Sequence, residues 1–210
     1  MVALLRIVEL DAGKIEIDDI DISTLGLQKL RSKVAVVPQE PVLFSGTIRG
    51  NLDPFNEYHE EKLLDVLSRV GLFGGSASTS SNSLSSLAMS HVQSLSDPVK
   101  EGGNNFSVGQ RQLLVIARAL LCGATIVIMD EATASVDADT DARIQRLLRE
   151  EFTDATCITV AHRLNTIMDS DLILVMNDGM VEEFDAPKNL LSKGGMFRDL
   201  VRASSSDSLS

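Results

Sequence analysis

The sequence has 210 residues, 44% of them hydrophobic, which is enough for one globular domain with a substantial core. Its formal net charge of −11 argues against a protein that binds a nucleic-acid backbone, since such a protein needs a basic face. No apolar run in the sequence approaches the ~20 residues that span a bilayer. The 2 cysteines, Cys122 and Cys157, form no disulfide framework and no CxxC metal site, and we expect both to be buried as small apolar side chains.

The first third of the chain is predicted to alternate short helical and extended segments. Residues 1–8 have the pattern of the end of an amphipathic helix that begins before the chain does, and residues 14–18 alternate like a strand. A second extended piece is predicted over residues 18–22, a brief helical turn over 25–30 and a buried strand over 33–37, which Pro38 ends. Gln39 follows that strand directly, where most glutamines are ordinary loop amides.

A helix and a serine-rich tract come next. Residues 59–70 are predicted to form a helix whose inward face consists of Leu63, Leu64, Val66, Leu67 and Val70. Over residues 76–90, eight of fifteen residues are serine, so we predict a disordered or loosely packed insertion over residues 74–90. We interpret this insertion as an inert spacer rather than a phosphorylated segment, and we place His91 at the surface.

Residues 105–137 carry the most informative pattern in the chain. Ser107, Val108, Gly109 and Gln110 open a predicted helix, and Leu113, Ile116, Ala117 and Leu120 then recur at the spacing of an apolar helix face. Gly123 is predicted to end this helix. The apolar run over residues 126–129 is typical of a parallel strand that is covered on both faces.

An acidic pair, Asp130 and Glu131, stands at the carboxyl end of that strand. Open α/β sheets hold their ligands at this end. An acidic pair alone is often no more than a solvated strand end. An apolar strand that ends in Asp-Glu also has the pattern in which the first carboxylate takes Mg²⁺ and the second orients or deprotonates water.

The remainder of the chain is predicted to be α/β as well. Residues 140–152 read as an amphipathic helix with Ile144, Leu147 and Leu148 inward, and residues 157–161 as a buried strand that leads to His162. The Asn177-Asp178-Gly179 sequence predicts a hairpin turn between strands over 172–176 and 180–184. Short helices over 186–191 and 196–201 and a polar tail over 204–210 are predicted to complete the chain.

Five segments occur in a fixed order: Gln39 after a strand, FSVGQRQ at residues 106–112, IVIMDE at 126–131, SVD at 135–137 and CITVAHRL at 157–164. In this order they resemble the Q-loop, signature, Walker B, D-loop and H-loop motifs of the ATP-binding cassette (ABC) ATPases. The segment FSGTIRGNLDPF at residues 44–55 is similar to ABC exporters, and its NLDPF part resembles the second nucleotide-binding domain of the C subfamily, the multidrug-resistance-associated group. The resemblance covers about residues 1–203 apart from the serine tract.

The resemblance implies an α/β fold of the P-loop NTPase type, with a mixed or parallel sheet core and a helical subdomain over about residues 50–120. The ATPase domain would occupy residues 1–203 and the polar tail 204–210. A P-loop needs the sequence GxxxxGK[ST], which the chain does not contain. We therefore expect a domain that is incomplete at its N-terminus and is cut just after this motif, without the strands and P-loop that come first in the family.

The resemblance also implies a role for each motif residue toward ATP and Mg²⁺. Asp130 and Gln39 would bind the metal, and Gln39 would also contact the attacking water. Glu131 would act as the base, and His162 would brace the γ-phosphate. Ser107, Val108, Gly109 and Gln110 of the signature, with Asp137 of the D-loop, would serve the nucleotide held by a second domain.

The partners implied are a second nucleotide-binding domain in a head-to-tail ATP sandwich and the transmembrane domains of a transporter, with no nucleic acid. The domain would be membrane-associated through its parent transporter and would lie on the cytoplasmic side. Two alternatives stay open. One is a non-hydrolysing regulatory fragment that pairs with another cassette, and the other is a soluble ABC ATPase of DNA repair or translation. The exporter-like segment over residues 44–55 and the acidic balance favour the transporter. The transported substrate is not predicted.

Overall fold

The structure is a computed structural model that describes residues 2–73, 92–130, 138–161 and 164–207. Some parts of the chain to which the sequence analysis drew attention lie outside the described residues. They are the serine-rich insertion over residues 74–90 and the side chains His91, Glu131, Asp137 and His162. The chain forms two compact units, Met1–Val160 and Ala161–Ser210. Within the described residues, no helix has both the length and the apolar character needed to cross a membrane.

The first unit consists of seven strands and five helices among the described residues. In chain order they are β1 (Glu16–Ile17), β2 (Ile20–Asp21), α1 (Leu27–Arg31), β3 (Val34–Val37), β4 (Gly46–Thr47), α2 (Ile48–Leu52), α3 (Glu60–Arg69), β5 (Pro98–Val99), α4 (Val108–Leu121), β6 (Ile126–Asp130), α5 (Ala138–Glu151) and β7 (Thr156–Val160). Helices α2, α3 and α4 lie in the stretch over residues 50–120 for which a helical subdomain was predicted. The boundaries of that subdomain stay a prediction.

A three-stranded parallel sheet forms the centre of the first unit. The strand order is β3-β6-β7, and β6 pairs with both neighbours. Val127 and Ile128 of β6 are completely buried, which agrees with the prediction of a parallel strand covered on both faces. Because all three strands run in the same direction, their carboxyl ends meet at one edge of the sheet. The predicted α/β fold with a parallel sheet is confirmed.

Helix α4 packs on this sheet and links it to the other helices. The helix contacts β3, α2, α3 and α5. Its apolar positions are buried on more than the single predicted face, since Leu114 and Val115 join Leu113, Ile116 and Ala117 in the main core. Gly123 has φ +56° just past the helix end, the left-handed conformation in which glycine commonly terminates a helix, as predicted.

The first residues of the chain depart from the prediction. No helix is present over residues 2–8. The N–H of Ile7 donates to Val2 O at 2.9 Å and the N–H of Arg6 donates to Ala3 O at 3.0 Å, and Arg6 has φ +48°. This pair of bonds around a left-handed residue is the Schellman pattern that ends helices. Residues 2–7 therefore have the bonds of a helix end without a helical segment.

Strand β7 and both cysteines are more exposed than predicted. All five residues of β7 are exposed because the strand pairs, among the described residues, with β6 alone and forms the sheet edge. The prediction of a buried strand here was wrong. Cys157 on β7 and Cys122 at the C-terminal end of α4 are also exposed when all atoms of each residue are considered together. Neighbouring atoms still crowd the sulfur atoms, and this burial raises the pKa of both thiols.

The second unit is a β-hairpin followed by two helices: β8 (Ile173–Asn177), β9 (Met180–Asp185), α6 (Pro187–Lys193) and α7 (Met196–Asp207). Asp178 and Gly179 form the two-residue turn with φ of 48° and 77°, the type I′ geometry that the Asp-Gly pair predicts. Ile173, Val175, Leu190 and Phe197 form its core. Helix α7 takes in residues 204–207 of the predicted polar tail.

Candidate functional site

The carboxyl-end edge of the sheet brings two of the predicted metal ligands to one side of the first unit. Val37, the last residue of β3, lies opposite Met129, the residue before the end of β6. Gln39 therefore follows β3 at the level at which β6 ends in Asp130. Asp130 is partly buried and is paired with Val160 of β7, whereas Gln39 is exposed.

The donor atoms at this edge suit a hard divalent cation. Mg²⁺ takes oxygen ligands and is usually held in proteins by one or two carboxylates together with waters and substrate phosphates. The Asp130 carboxylate and the Gln39 amide oxygen are such donors. Across the described ranges, no group of three or more His, Cys, Asp or Glu side chains could hold a metal by itself. Two such donors match a cation that takes its other ligands from waters and phosphate oxygens.

The start of α4 is held by a reciprocal capping box. The Ser107 hydroxyl oxygen accepts from the N–H of Gln110 at 3.2 Å, and the Gln110 side-chain oxygen accepts from the N–H of Ser107 at 2.8 Å. Gln110 is 6% exposed, while Ser107 is exposed. A capping interaction of this kind stabilises a helix by about 1 kcal/mol. The side-chain oxygen of Gln110 is therefore bonded to the backbone of Ser107.

The capping box leaves the most accessible part of the helix start available to an anion. The first amides of a helix, here those of Val108 and Gly109, have no acceptor within the helix itself. They lie at the positive end of a 14-residue helix. Ser107 can also donate its hydroxyl hydrogen while its oxygen accepts from Gln110. An exposed serine at the positive end of a helix is suited to phosphate oxygens.

The loop that follows Gln39 is fixed by a polar network that sequence reasoning missed. Arg118 of α4 donates to Val42 O at 2.8 Å, to Asn51 O at 2.6 Å and to the side-chain oxygen of Asn51 at 2.6 Å. Burial lowers the pKa of the Arg118 guanidinium. The sequence contained one signal for this network, which is the presence of Arg118 in a helix as apolar as α4.

Asn51 and Asp53 give the NLDPF segment a structural role. Asn51 is 4% exposed. Its side-chain oxygen accepts from the N–H of Phe44, and its side-chain nitrogen donates to Phe44 O. Asp53, 3% exposed, accepts from the N–H groups of Glu57 and Tyr58, each at 2.9 Å. The first residue holds the end of the loop, and the second holds the approach to α3. Both were recognised in the sequence only through a resemblance.

The same loop exposes apolar side chains beside an open groove. Val42 is 58% exposed and Phe44 is 68% exposed. The groove has a volume of about 340 Å³ and lies between β3 and α4. Its lining includes Val34, Val36, Pro38, Val42, Val115 and Cys122. Val42 and Phe44 are thus apolar side chains left on the surface next to this groove.

Comparisons with known proteins agree with the motifs. The family described as ABC transporter matches residues 1–134. ABC transporter C family member 5 of Arabidopsis thaliana is 48% identical over 207 residues, which cover 98% of this chain and 13% of that protein. ABC transporter C family member 12 of Dictyostelium discoideum is 46% identical over 202 residues, 96% of this chain and 14% of that protein.

The ATP-dependent bile acid permease of Saccharomyces cerevisiae is also similar, at 46% identity over 198 residues that cover 90% of this chain and 12% of the permease. The chain thus spans roughly an eighth of the length of these relatives. Its likeness to the second rather than the first nucleotide-binding domain stays a prediction. The resemblance to the C subfamily is confirmed along nearly the whole chain. On the family match and these relatives, the chain belongs to the ABC transporter family.

Proposed function

We propose that the chain is the nucleotide-binding domain of an ABC exporter, which binds ATP with Mg²⁺ and couples its hydrolysis to transport across a membrane. The observation that carries this proposal is the common edge of the parallel sheet, at which Gln39 follows β3 and Asp130 ends β6. Two oxygen donors at such an edge are suited to a nucleotide-bound cation. The family match supports the assignment, since ATP binding is implied for its members.

Each residue at this edge has a proposed role. Asp130 and Gln39 hold Mg²⁺, which neutralises phosphate charge when it is bound. Glu131, the next residue in the chain, accepts a proton from the attacking water and so acts as the general base. His162 contacts the γ-phosphate and orients the water. Gln39 adds a hydrogen bond to the same water, so that its position is set by two side chains.

The start of α4 serves a second cassette in this proposal. Ser107, Val108 and Gly109 contact the γ-phosphate that the other cassette binds, and Asp137 lies at the junction of the two. Support comes from the capping box, because Ser107 is exposed and its oxygen accepts from Gln110, so that its hydroxyl can still donate to a phosphate. The helix dipole favours the negative charge of the γ-phosphate at this position.

The loop over residues 40–47 is proposed to contact the transmembrane domains. Exposed Val42 and Phe44 supply apolar contact area, while Arg118 and Asn51 fix the backbone that carries them. Movement of α4 on ATP binding would therefore be transmitted to the membrane part of the transporter. The domain would lie on the cytoplasmic side, and the membrane part would select the substrate.

Residues 1–210 by themselves are proposed to bind ATP weakly and not to hydrolyse it. The sequence contains no GxxxxGK[ST], whose amides and lysine surround the phosphates in P-loop proteins. Asp130 and Glu131 would then face the triphosphate with too little positive charge nearby. ATP titration of this polypeptide tests the point, and micromolar affinity would contradict it. The alternative of a non-hydrolysing module that pairs with another cassette is separated from the exporter by the next experiment.

The experiment is Glu131→Gln in the transporter that contains this chain, with the other cassette inactivated. The amide retains shape and hydrogen bonding but cannot accept the proton, so steady-state hydrolysis should fall at least ~10²-fold while ATP binding persists. Glu150→Gln, an exposed glutamate on α5, is the matched control and should retain activity. Wild-type turnover in the Glu131 variant would remove that residue from the role, and a silent unaltered protein would favour the non-hydrolysing module.

A further inference from the structure

Gln112 is a buried glutamine on α4 whose side chain is only half satisfied. The residue is 1% exposed. Its Nε2 donates to Pro38 O at 3.2 Å. Its Oε1 is fully buried and has no hydrogen-bond partner within the residues that the structure describes. The opposite assignment of oxygen and nitrogen would place two acceptors against each other, so the carbonyl of Pro38 fixes the orientation of the amide.

The bond from Gln112 meets the chain immediately before Gln39. A second attachment of this loop to α4 is the bond from Arg118 to Val42 O. The two attachments therefore flank residues 39–41, and α4 holds the loop on both sides of Gln39. Reorientation of the Gln39 side chain therefore involves a backbone segment that is held at both of its ends.

The unsatisfied oxygen is unfavourable in the state described. A buried acceptor without a partner costs free energy, and an apolar side chain of the same shape would avoid that cost. The oxygen is explained if it gains a donor in a second state of the loop. Pro38 and Pro41 have no N–H, so the backbone donors between the two attachments are those of Gln39 and Glu40.

We propose that Gln112 is a positioning residue for Gln39, which holds the carbonyl of Pro38 and accepts a backbone N–H of Gln39 or Glu40 when Gln39 turns toward Mg²⁺. The loop then has two arrangements, and the second satisfies both ends of the buried amide. This inference rests on the proposed nucleotide site. In this inference α4 positions the Gln39 loop as well as the phosphate-facing residues at its own start.

The test uses Gln112→Met in the whole transporter, with Leu114→Met as the matched control because Leu114 is completely buried on the same helix. Methionine preserves the packing of Gln112, and removal of its unsatisfied oxygen offsets loss of the bond to Pro38 O, so the melting temperature should not fall. The Mg²⁺ concentration for half-maximal hydrolysis should rise about fivefold, the effect of one hydrogen bond. ATP affinity measured in EDTA should be unchanged. Leu114→Met should change neither the Mg²⁺ dependence of hydrolysis nor the ATP affinity.

A second measurement is independent of any variant. Amide hydrogen exchange is compared in the unaltered protein with ATP in EDTA and with ATP plus Mg²⁺. Exchange at Gln39 or Glu40 should slow about fivefold with Mg²⁺ only, and Gln112→Met should abolish this protection.

Three results overturn the inference. They are no Mg²⁺-dependent protection in the unaltered protein, a variant whose Mg²⁺ dependence equals that of Leu114→Met, and a variant whose ATP affinity in EDTA falls along with its melting temperature. Failure of the proposed function would look different, because the unaltered protein would then show no Mg²⁺-dependent hydrolysis at all.

Discussion

Arg118 and Asn51 are joined by a 2.6 Å hydrogen bond, from the guanidinium of one to the side-chain oxygen of the other, across 67 residues of sequence. The same Asn51 oxygen accepts from the N–H of Phe44 at 2.9 Å. The Asn51 amide nitrogen donates to Phe44 O at 2.8 Å and to Thr47 O at 3.0 Å. One buried side chain therefore holds the loop after Gln39 to helix α4.

Asn51→Ala should strongly destabilise the protein. The change removes the acceptor of one Arg118 guanidinium nitrogen and the side-chain partner of both the N–H and the carbonyl of Phe44, and each buried group left unsatisfied costs ~1–3 kcal/mol. We expect the free energy of unfolding to fall by about 3 kcal/mol in denaturant titrations. Asn105→Ala is the matched control, since Asn105 also makes two backbone bonds but at an exposed site, and it should cost about 1 kcal/mol or less. Equal losses in the two variants would show that the network contributes no more than a surface turn.

Gly103→Ala should be more harmful than Gly123→Ala, although both glycines have a left-handed backbone. Gly103 has φ +71°, and a Cβ atom there would stand 2.7 Å from Leu43 Cδ1 and 2.9 Å from Arg111 Cδ. Gly123 has φ +56° with nothing within 4 Å of the added atom. We expect a loss of ~1 kcal/mol at Gly123 from the backbone alone and ~2–4 kcal/mol at Gly103, where crowding adds to it. Thermal melts of the two variants make the comparison, and equal shifts would remove the packing argument.

Asp185 should titrate far below an ordinary aspartate. Its carboxylate accepts from Lys193 Nζ at 2.6 Å, Asn189 Nδ2 at 2.7 Å and the N–H of Ala186 at 2.7 Å. These bonds, that from Lys193 foremost, lower the pKa of Asp185 from 3.8 to about 2. Because the folded-state pKa is depressed, the stability that Asp185 contributes is present above pH 3.8 and is lost as the pH falls toward 2.

Carbon-13 NMR titration of the Asp185 carboxyl measures this directly. Lys193→Met should raise the midpoint toward 3.8, and Lys188→Met on the same helix should leave it near 2. A midpoint near 3.8 in the unaltered protein would mean that the hydrogen bonds do not persist in solution.

The sequence predicted the elements of the core well because their periodicity reports burial. The helix over residues 108–121, the strand over 126–130 and the Asp-Gly hairpin all occur as predicted. Burial of β7 and of the cysteines was mispredicted, since an apolar run does not tell whether a strand lies at the centre or at the edge of a sheet. Residues 2–8, predicted as the end of a helix, have the hydrogen bonds of a helix end but no helical segment, since an apolar pattern of a few residues does not distinguish a helix from a turn.

Contacts between distant polar residues were the least predictable part of the site. Arg118, Asn51 and Gln112 stand in segments read as an apolar helix and a loop, and their partners lie more than 60 residues away. Local pattern contains no information on such pairs. The predicted roles of Gln39, Asp130 and Ser107 came from motif order, and the structure adds the sheet edge at which the first two residues lie and the capping box that holds Ser107.

The central claim is that the start of α4 meets ATP held by another cassette, and Ser107→Arg tests it most directly. The bulky arginine side chain should block closure of the two cassettes. It should not disturb nucleotide binding by the cassette that carries it. Photoaffinity labelling with an ATP analogue is measured at each cassette of the transporter, together with transport. Ser68→Arg, at an exposed serine on α3, is the control and should affect neither. Persistent labelling of this cassette with transport abolished is the predicted result, and loss of labelling at this cassette with transport intact would contradict the claim.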